Sequence, residues 1–220
     1  AVFILFIEDG GDGWVPGDYV KIRTGAGSVD NPNGIGTVAA ADIDADNKVD
    51  TIYGGDLQGN MWKFDVSDTN PSNWGVDFGG EALFTAVSPG GVPQPITTRP
   101  GVTAHPAGPR QGVVVVFGSG KFLELGDRQV TNQPTQTIYG IWDRAAAPES
   151  SFTDHGFSRS QLALIDLSTN SGFRVVDDEN SEEVDYFDDD GNPKDRGWFA
   201  DLPEQGERIV DASEMRSGLA

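Results

Sequence analysis

Turn-forming residues interrupt this sequence so often that long helices have little room to form. The 220 residues include 29 Gly and 13 Pro, and the apolar runs between turns are only three to seven residues long. Short runs rich in β-branched and aromatic residues, bounded by Gly, Pro, Asn and Asp, are typical of β-strands. No stretch of comparable length repeats its apolar residues with the 3.6-residue period of a helix. The sequence therefore predicts an all-β fold.

Thirteen runs match this strand pattern, and three long polar segments separate some of them. The predicted strands are Val2–Ile7, Tyr19–Arg23, Gly36–Asp42, Thr51–Tyr53, Met61–Val66, Ala82–Val87, Gly101–Ala104, Val113–Phe117, Thr137–Trp142, Gln161–Leu167, Phe173–Val176, Gly197–Leu202 and Arg208–Val210. The polar segments, which we interpret as loop insertions, are Ser67–Gly80, Leu125–Gln136 and Asp177–Arg196. Loops of this kind often carry binding residues, so we expect partner contacts there.

A weak internal repeat indicates how the strands are grouped. In Thr51–Asp65 an apolar strand ends in Gly and the next strand carries two aromatic residues before an Asp, and Val115–Asp143 follows the same order. We count three to four such units, and a closed ring of blades with ~40–45 residues each needs four or more. We therefore predict one domain over residues 1–220 that forms an incomplete or modified β-propeller with long polar loop insertions. A β-sandwich is the alternative.

The net charge narrows the range of partners. With 15 basic and 35 acidic residues the formal charge is −20, and no basic stripe could neutralise a phosphate backbone. Nucleic acid and anionic membrane surfaces are therefore poor partners, whereas cations are good ones. A salt-adapted or simply very soluble surface would show the same charge. The chain has no Cys, which excludes disulfides, thiolate metal sites and Cys nucleophiles.

The apolar run Ala1–Ile7 opens the chain. It is seven residues long and an acidic stretch follows it directly, so it is too short for a membrane span and lacks the layout of a signal peptide. We predict a buried strand that begins inside a longer protein, and no membrane insertion.

An aspartate-rich loop between two apolar runs is the strongest chemical signal. Counted from the first Asp, carboxylates occupy positions 1, 3, 5 and 9, and position 7 is a Lys whose main-chain carbonyl can supply another oxygen. Calcium prefers 6–8 oxygen ligands, and alternate side chains of a coiled loop converge on one point. The spacing therefore predicts a Ca²⁺ site with the ligands Asp42, Asp44, Asp46, Asp50 and the carbonyl of Lys48.

The surroundings of this loop differ from those of an EF-hand. Position 12 is Tyr53 in place of the usual Glu, and both flanks have strand patterns, so the loop is EF-hand-like in a β setting. Asn47 occupies the position where Gly is usual, and Asn tolerates the left-handed backbone conformation. The apolar residues Ile43, Ala45 and Val49 are expected to pack on the scaffold. A solvated acidic turn is the alternative, and Mg²⁺ fits this ligand set less well.

The remaining titratable residues do not form a catalytic motif. The two histidines, His105 and His155, are flanked by Pro and Gly and are predicted to be surface residues. The acidic segment Asp185–Asn192 contains an Asp-Gly-Asn turn of hairpin type, which favours a solvated hairpin over a second metal site. A carboxylate pair for glycoside hydrolysis remains open, because such a pair is defined by separation in space. We predict that the chain is not an enzyme.

The motifs resemble those of a known family in their order along the chain. The calcium loop runs directly into Thr51–Asp65, and Val115–Leu123, Gln136–Asp143 and Arg196–Val210 follow. Together these segments are similar to the C-terminal β-propeller of the PilY/PilC-type tip-associated adhesins of type IV pili. The resemblance implies the C-terminal part of a larger protein, and by position it implies the same calcium ligands as the spacing.

The resemblance also implies a function for the chain. Members of this family are exported to the cell surface and lie at the pilus tip, where minor pilins and host or abiotic surface ligands are their partners. They support pilus biogenesis and adhesion, and calcium is thought to bias pilus extension against retraction. Two alternatives remain: a quinoprotein-like propeller enzyme, since Gly55–Asp65 is similar to its strands, and a generic calcium-stabilised extracellular adhesion module.

Overall fold

Fourteen β-strands and seven short 3-10 helices form the regular structure of residues 1–146 and 154–213, the part that the computed structural model describes. The strands are β1 (Val2–Leu5), β2 (Tyr19–Ile22), β3 (Ile35–Ala41), β4 (Thr51–Asp56), β5 (Asn60–Asp65), β6 (Gly75–Val76), β7 (Phe84–Thr85), β8 (Gly101–Ala104), β9 (Val113–Gly118), β10 (Thr137–Asp143), β11 (Ala163–Leu164), β12 (Leu167–Asn170), β13 (Phe173–Val176) and β14 (Gly197–Asp201). The 3-10 helices are Gly10–Asp12, Pro71–Asn73, Phe78–Gly80, Pro109–Gln111, Leu125–Arg128, Arg144–Ala146 and Arg159–Gln161. None of the helices in these residues is long and apolar enough to cross a membrane.

Two larger sheets and two hairpins contain the strands. The first sheet has the order β3-β4-β5-β6, with β7 also paired to β5, and the second has the order β11-β14-β10-β9-β8. The hairpins are β1-β2 and β12-β13. The internal repeat of the sequence marks equivalent strand pairs, because β4 and β5 pair antiparallel in the first sheet as β9 and β10 do in the second. Apart from the parallel pair β11-β14, each larger sheet thus has the antiparallel strand pairing expected of a propeller blade.

Both faces of the first sheet are covered. Tyr53 and Met61 point into a core that includes Phe117 and Tyr139 of the second sheet. The opposite face contributes Ile52, Trp62 and Phe64 to another core, which the β1-β2 hairpin completes with Val2 and Ile22. Successive residues of a strand point to opposite faces, so β4 is buried along its whole length. This layering of sheet on sheet explains why β4 does not alternate between buried and exposed residues.

Some predicted strands differ from the structure. Arg208–Val210 is not a strand: the guanidinium of Arg208 donates to the carbonyls of Lys121, Asp127 and Gln129, and the Ile209 N–H donates to the carbonyl of Ser119. This segment therefore binds to the chain that follows β9 and does not extend a sheet. The run Ala82–Val87 contains only the two-residue strand β7, and Gln161–Leu167 contains the end of a 3-10 helix and β11. The two-residue β6 was not predicted, and the single-domain organisation stays a prediction.

The surface prediction for His105 is wrong. Its side chain is 2% exposed and packs against the rings of Trp142 and Tyr186, with centroid distances of 4.6 and 4.3 Å. Its Nδ1 accepts a hydrogen bond from the Ala107 N–H at 3.1 Å. Burial lowers the pKa of His105, because the charged form loses its hydration. His155 is half-buried and stacks on Phe78 at 4.7 Å.

The burial of His105 predicts a pH dependence of stability. Because its folded pKa lies below the unfolded value of about 6.5, the contribution of His105 to stability is present above that pH and is lost as the pH falls towards the folded pKa. The variant His105→Asn keeps an acceptor for Ala107 but does not titrate. Urea unfolding at pH 7.5 and 5.5 should show a smaller loss of stability on acidification in the variant than in the wild type. Equal losses would contradict this role.

Candidate metal centre

The aspartate-rich loop connects β3 to β4 and is anchored to strands on both sides. The Asp50 N–H donates to the carbonyl of Ala41 at 3.0 Å, and the Val66 N–H donates to the carbonyl of Asp50 at 2.9 Å. The first bond continues the β3-β4 pairing and the second reaches the residue that follows β5. The base of the loop is thus held by the main chain, whatever occupies its interior.

Hydrogen bonds inside the loop turn three carboxylates towards one another. The Ile43 N–H donates to Asp50 Oδ2 at 2.7 Å, the Asn47 N–H to Asp42 Oδ2 at 2.8 Å, and the Asp46 N–H to Asp44 Oδ1 at 3.0 Å. Asp42, Asp44 and Asp50 each offer an oxygen within 4.8 Å of the others.

This spacing fits a calcium ion. Calcium–oxygen distances are about 2.3–2.6 Å, so two oxygens on one ion are at most about 5 Å apart. The donor set consists of oxygens, which hard divalent cations prefer. Asp42 and Asp44 are exposed and Asp50 is half-buried, so the ion would have solvent on one side. Three of the four predicted carboxylates therefore lie where one ion could bind them.

Asp46 and Lys48 are arranged differently. Lys48 Nζ lies 2.5 Å from Asp46 Oδ2, and the Lys48 N–H donates to Asp46 Oδ1 at 2.8 Å. The hydrogen bonds from Lys48 hold the pKa of Asp46 below its usual value. The carboxylate of Asp46 is therefore engaged by Lys48 and stands outside the group of three. Its role as a metal ligand, and that of the Lys48 carbonyl, stay predictions.

The conformation of the loop confirms some of the predictions made for its individual residues. Asn47 has a φ of +69°, the left-handed conformation expected at its position, and Ala45 has a φ of +63°. Ile43 is partly buried against the main core. Ala45 and Val49 are exposed, so the expectation that they pack on the scaffold is wrong.

A buried ion-pair network lies behind the loop and joins the two larger sheets. Lys63 of β5 has a side chain that is 4% exposed, and its Nζ lies 3.1 Å from Asp77 Oδ2 and 3.0 Å from Asp143 Oδ2 of β10. The Tyr53 hydroxyl donates to the same Asp143 oxygen at 2.7 Å. Burial, reinforced by the Asp143 charge, raises the pKa of Tyr53, which keeps this hydroxyl protonated as a donor. A polar cavity of about 270 Å³ touches Asp50 on one side and Lys63 on the other.

This network is not predicted from the sequence, although one signal for it is present. Lys63 interrupts the apolar run Met61–Phe64 of β5. A Lys in the middle of a strand buried on both faces requires an acidic partner, because an unpaired buried charge is costly. The partner Asp143 ends β10, the strand that matches β5 in the internal repeat.

The second acidic segment forms a hairpin, as predicted. Phe187 and Pro193 form an isolated antiparallel bridge. At its tip, Asp188 Oδ1 accepts hydrogen bonds from the N–H groups of Asp190 and Asn192 at 3.0 and 2.7 Å. These turn contacts fix the carboxylate of Asp188 at the tip of the hairpin.

Comparisons with known proteins place the chain in a family. A model of the PilY1 beta-propeller domain matches residues 1–175. The type IV pilus biogenesis factor PilY1 of Pseudomonas aeruginosa strain PAO1 is 34% identical over 197 residues, covering 80% of this chain and 17% of that protein. A PilY1 homolog of Xylella fastidiosa is 32% identical over 196 residues, covering 84% of this chain and 12% of that protein. The chain thus spans less than a fifth of the length of these relatives.

A solved structure agrees with these matches. The crystal structure of the P. aeruginosa PilY1 C-terminal domain is similar with a TM-score of 0.69 and 30% sequence identity, over 85% of this chain and 43% of that one. The all-β, propeller-type fold predicted from the sequence is confirmed, and the described sheets do not close into a ring. The chain belongs to the PilY1 β-propeller domain family.

Proposed function

We propose that this chain is the calcium-binding, non-enzymatic propeller part of a type IV pilus-tip protein that supports pilus biogenesis, the balance of extension and retraction, and surface adhesion. Its relatives in P. aeruginosa and X. fastidiosa are named as type IV pilus biogenesis factors. Minor pilins and host or abiotic surface ligands are the proposed partners, and the cell exterior at the pilus tip is the proposed location. The net charge of −20 argues against nucleic acid as a partner.

One observation carries the calcium part of the proposal. Asp42, Asp44 and Asp50 offer oxygens within 4.8 Å of one another in a loop whose base is bonded to neighbouring strands. These three would hold the ion, with Asp46 and the Lys48 carbonyl as further ligands. Calcium bound there supplies positive charge that offsets the mutual repulsion of the carboxylates. The chain itself supplies the fixed main-chain frame that keeps the loop in place between β3 and β4.

A calcium effect on pili can be tested with the full-length protein in its own bacterium. The variant Asp50→Asn removes a charge at the metal group but keeps an acceptor for the Ile43 N–H. We expect cells with this variant to lose surface pili, and we expect the pili to return when the retraction motor is also deleted, because the defect would favour retraction. Asp188→Asn, in an exposed turn outside the metal loop, is the matched control.

Two results would count against this function. Wild-type piliation in the Asp50→Asn strain would show that the metal group has no part in pilus control. Loss of pili that persists without the retraction motor would show a failure of assembly instead of a shift towards retraction. Immunoblots of the sheared surface fraction would verify that each variant is exported.

A further inference from the structure

A second cavity, larger and more apolar than the polar one, opens on the other side of the metal loop. Its volume is about 740 Å³, within the range of about 300–1,000 Å³ of most ligand pockets. The apolar part of its lining comes from the β1-β2 hairpin, the loop, β4 and the segment after β5: Ile4, Val49, Ile52, Val66 and Trp74. An alkyl chain could therefore be buried there.

The rim of this cavity is acidic. Asp44, Asp46, Asp50 and Asp68 line it together with one cation, Lys48, so its formal charge is 1 − 4 = −3. Lys48 is already paired with Asp46. The remaining carboxylates leave the cavity complementary to a ligand with a positive end.

The indole ring of Trp74 indicates which kind of positive group fits the cavity. The Nε1 of Trp74 donates to the main-chain carbonyl of Asp68 at 2.7 Å, which fixes the half-buried ring beside the rim. Aromatic rings attract cations, and the planar guanidinium of Arg stacks on them while it binds carboxylates with two parallel hydrogen bonds. An Arg side chain combines this head group with an alkyl stem that can lie on the apolar lining. It matches the cavity better than a compact ammonium ion does.

We propose that this cavity is a docking site for an arginine side chain of a protein partner, and that calcium in the adjacent loop weakens the docking. The proposed effect of calcium on docking rests on the proposed metal site. Asp44 and Asp50 belong both to the metal group and to the cavity lining. An ion on these carboxylates removes their attraction for the guanidinium, and by linkage the bound arginine lowers calcium affinity by the same factor.

The test is an NMR titration of the 220-residue chain with N-acetyl-arginine methylamide in calcium-free buffer. The matched probe is the citrulline compound, which has the same shape without the charge. We expect the arginine probe to shift the Trp74 indole N–H and the Val49 amide, and the citrulline probe to bind more weakly. Equal binding of both probes, or no shift at these two residues, would overturn the arginine site without requiring any variant.

Two further titrations test the role of the acidic rim and the proposed effect of calcium on arginine binding. Asp68→Asn keeps an acceptor for the Asn70 N–H and should weaken arginine binding by about two- to fivefold, as expected for one exposed charge, while the exposed Asp188→Asn leaves it unchanged. Saturating calcium should weaken it by about fivefold or more, because two such charges are neutralised. Unchanged arginine binding in calcium would contradict the proposal that calcium weakens the docking. Separate calorimetry of calcium alone decides whether the metal site itself has failed.

Discussion

Replacing Lys63 by Met should lower the free energy of unfolding by about 3–5 kcal/mol, the usual cost of removing one partner from a buried ion pair. The substitution keeps the apolar stem but leaves Asp143, whose side chain is fully buried, without its cation. The Tyr53 hydroxyl and the Ala146 N–H still donate to Asp143, so two hydrogen bonds remain while the charge is uncompensated. Because Lys63 and Asp143 belong to different sheets, the loss should weaken the contact between the two blades. Urea unfolding of the purified chain measures the change.

The control for Lys63 is an ion pair at the surface. Lys194→Met removes a pair with Asp185 in which the side chains are 51% and 45% exposed, and it should cost about 1 kcal/mol or less. Adding Asp143→Asn to Lys63→Met should recover part of the loss, because the buried charge is then gone. Similar losses for Lys63→Met and Lys194→Met would contradict the role of the buried network in joining the sheets.

Replacing Asp56 by Ala should cost about 3 kcal/mol or more, because one buried donor and several part-buried donors lose their acceptor, and a buried unsatisfied donor alone costs about 1–3 kcal/mol. Asp56 is 1% exposed and ends β4. Its Oδ2 accepts hydrogen bonds from Trp62 Nε1 at 2.7 Å, Asn33 Nδ2 at 2.7 Å and Asn60 Nδ2 at 2.9 Å, while Oδ1 accepts from two main-chain N–H groups of the β4-β5 turn. The carboxylate therefore organises the turn and fixes the Trp62 ring.

Asp65→Ala is the matched control for Asp56. Asp65 ends β5, the strand paired with β4, and its exposed carboxylate accepts hydrogen bonds from the N–H and hydroxyl of nearby Ser67. We expect a loss of about 1 kcal/mol or less. Near-ultraviolet circular dichroism should also change in Asp56→Ala and not in Asp65→Ala, because Trp62 loses its fixed orientation. If the two variants were equally stable, Asp56 would not organise this turn.

Local patterns explain what the sequence could predict. The strand pairs β4-β5 and β9-β10 were recognised because their Gly and aromatic marks lie within short, regular segments. The group Asp42, Asp44 and Asp50 was recognised because alternate residues of a coiled loop converge. Asp46 follows the same spacing, but a lysine two residues later engages its carboxylate. Spacing alone does not determine such a choice of side-chain partner.

Contacts between distant segments explain the features that the sequence did not predict. His105 is buried because Tyr186, from the predicted polar insertion Asp177–Arg196, packs its ring on the imidazole. The segment at Arg208 is not a strand because its guanidinium bonds to carbonyls that lie 79–87 residues earlier in the chain. The pairing of Lys63 with Asp143 spans 80 residues and two sheets. No local periodicity encodes such contacts.

Calcium binding by the aspartate-rich loop can be measured by calorimetric titration. It compares the wild type with Asp44→Asn and Asp188→Asn, and thermal unfolding is recorded in calcium and in chelator. We expect one site, with a dissociation constant on the order of 10⁻⁴–10⁻³ M or tighter, and a higher melting temperature in calcium, because the ion binds the folded loop. Asp44→Asn should lose both effects and Asp188→Asn should keep them. No heat of binding and no change in melting temperature in the wild type would contradict the calcium site.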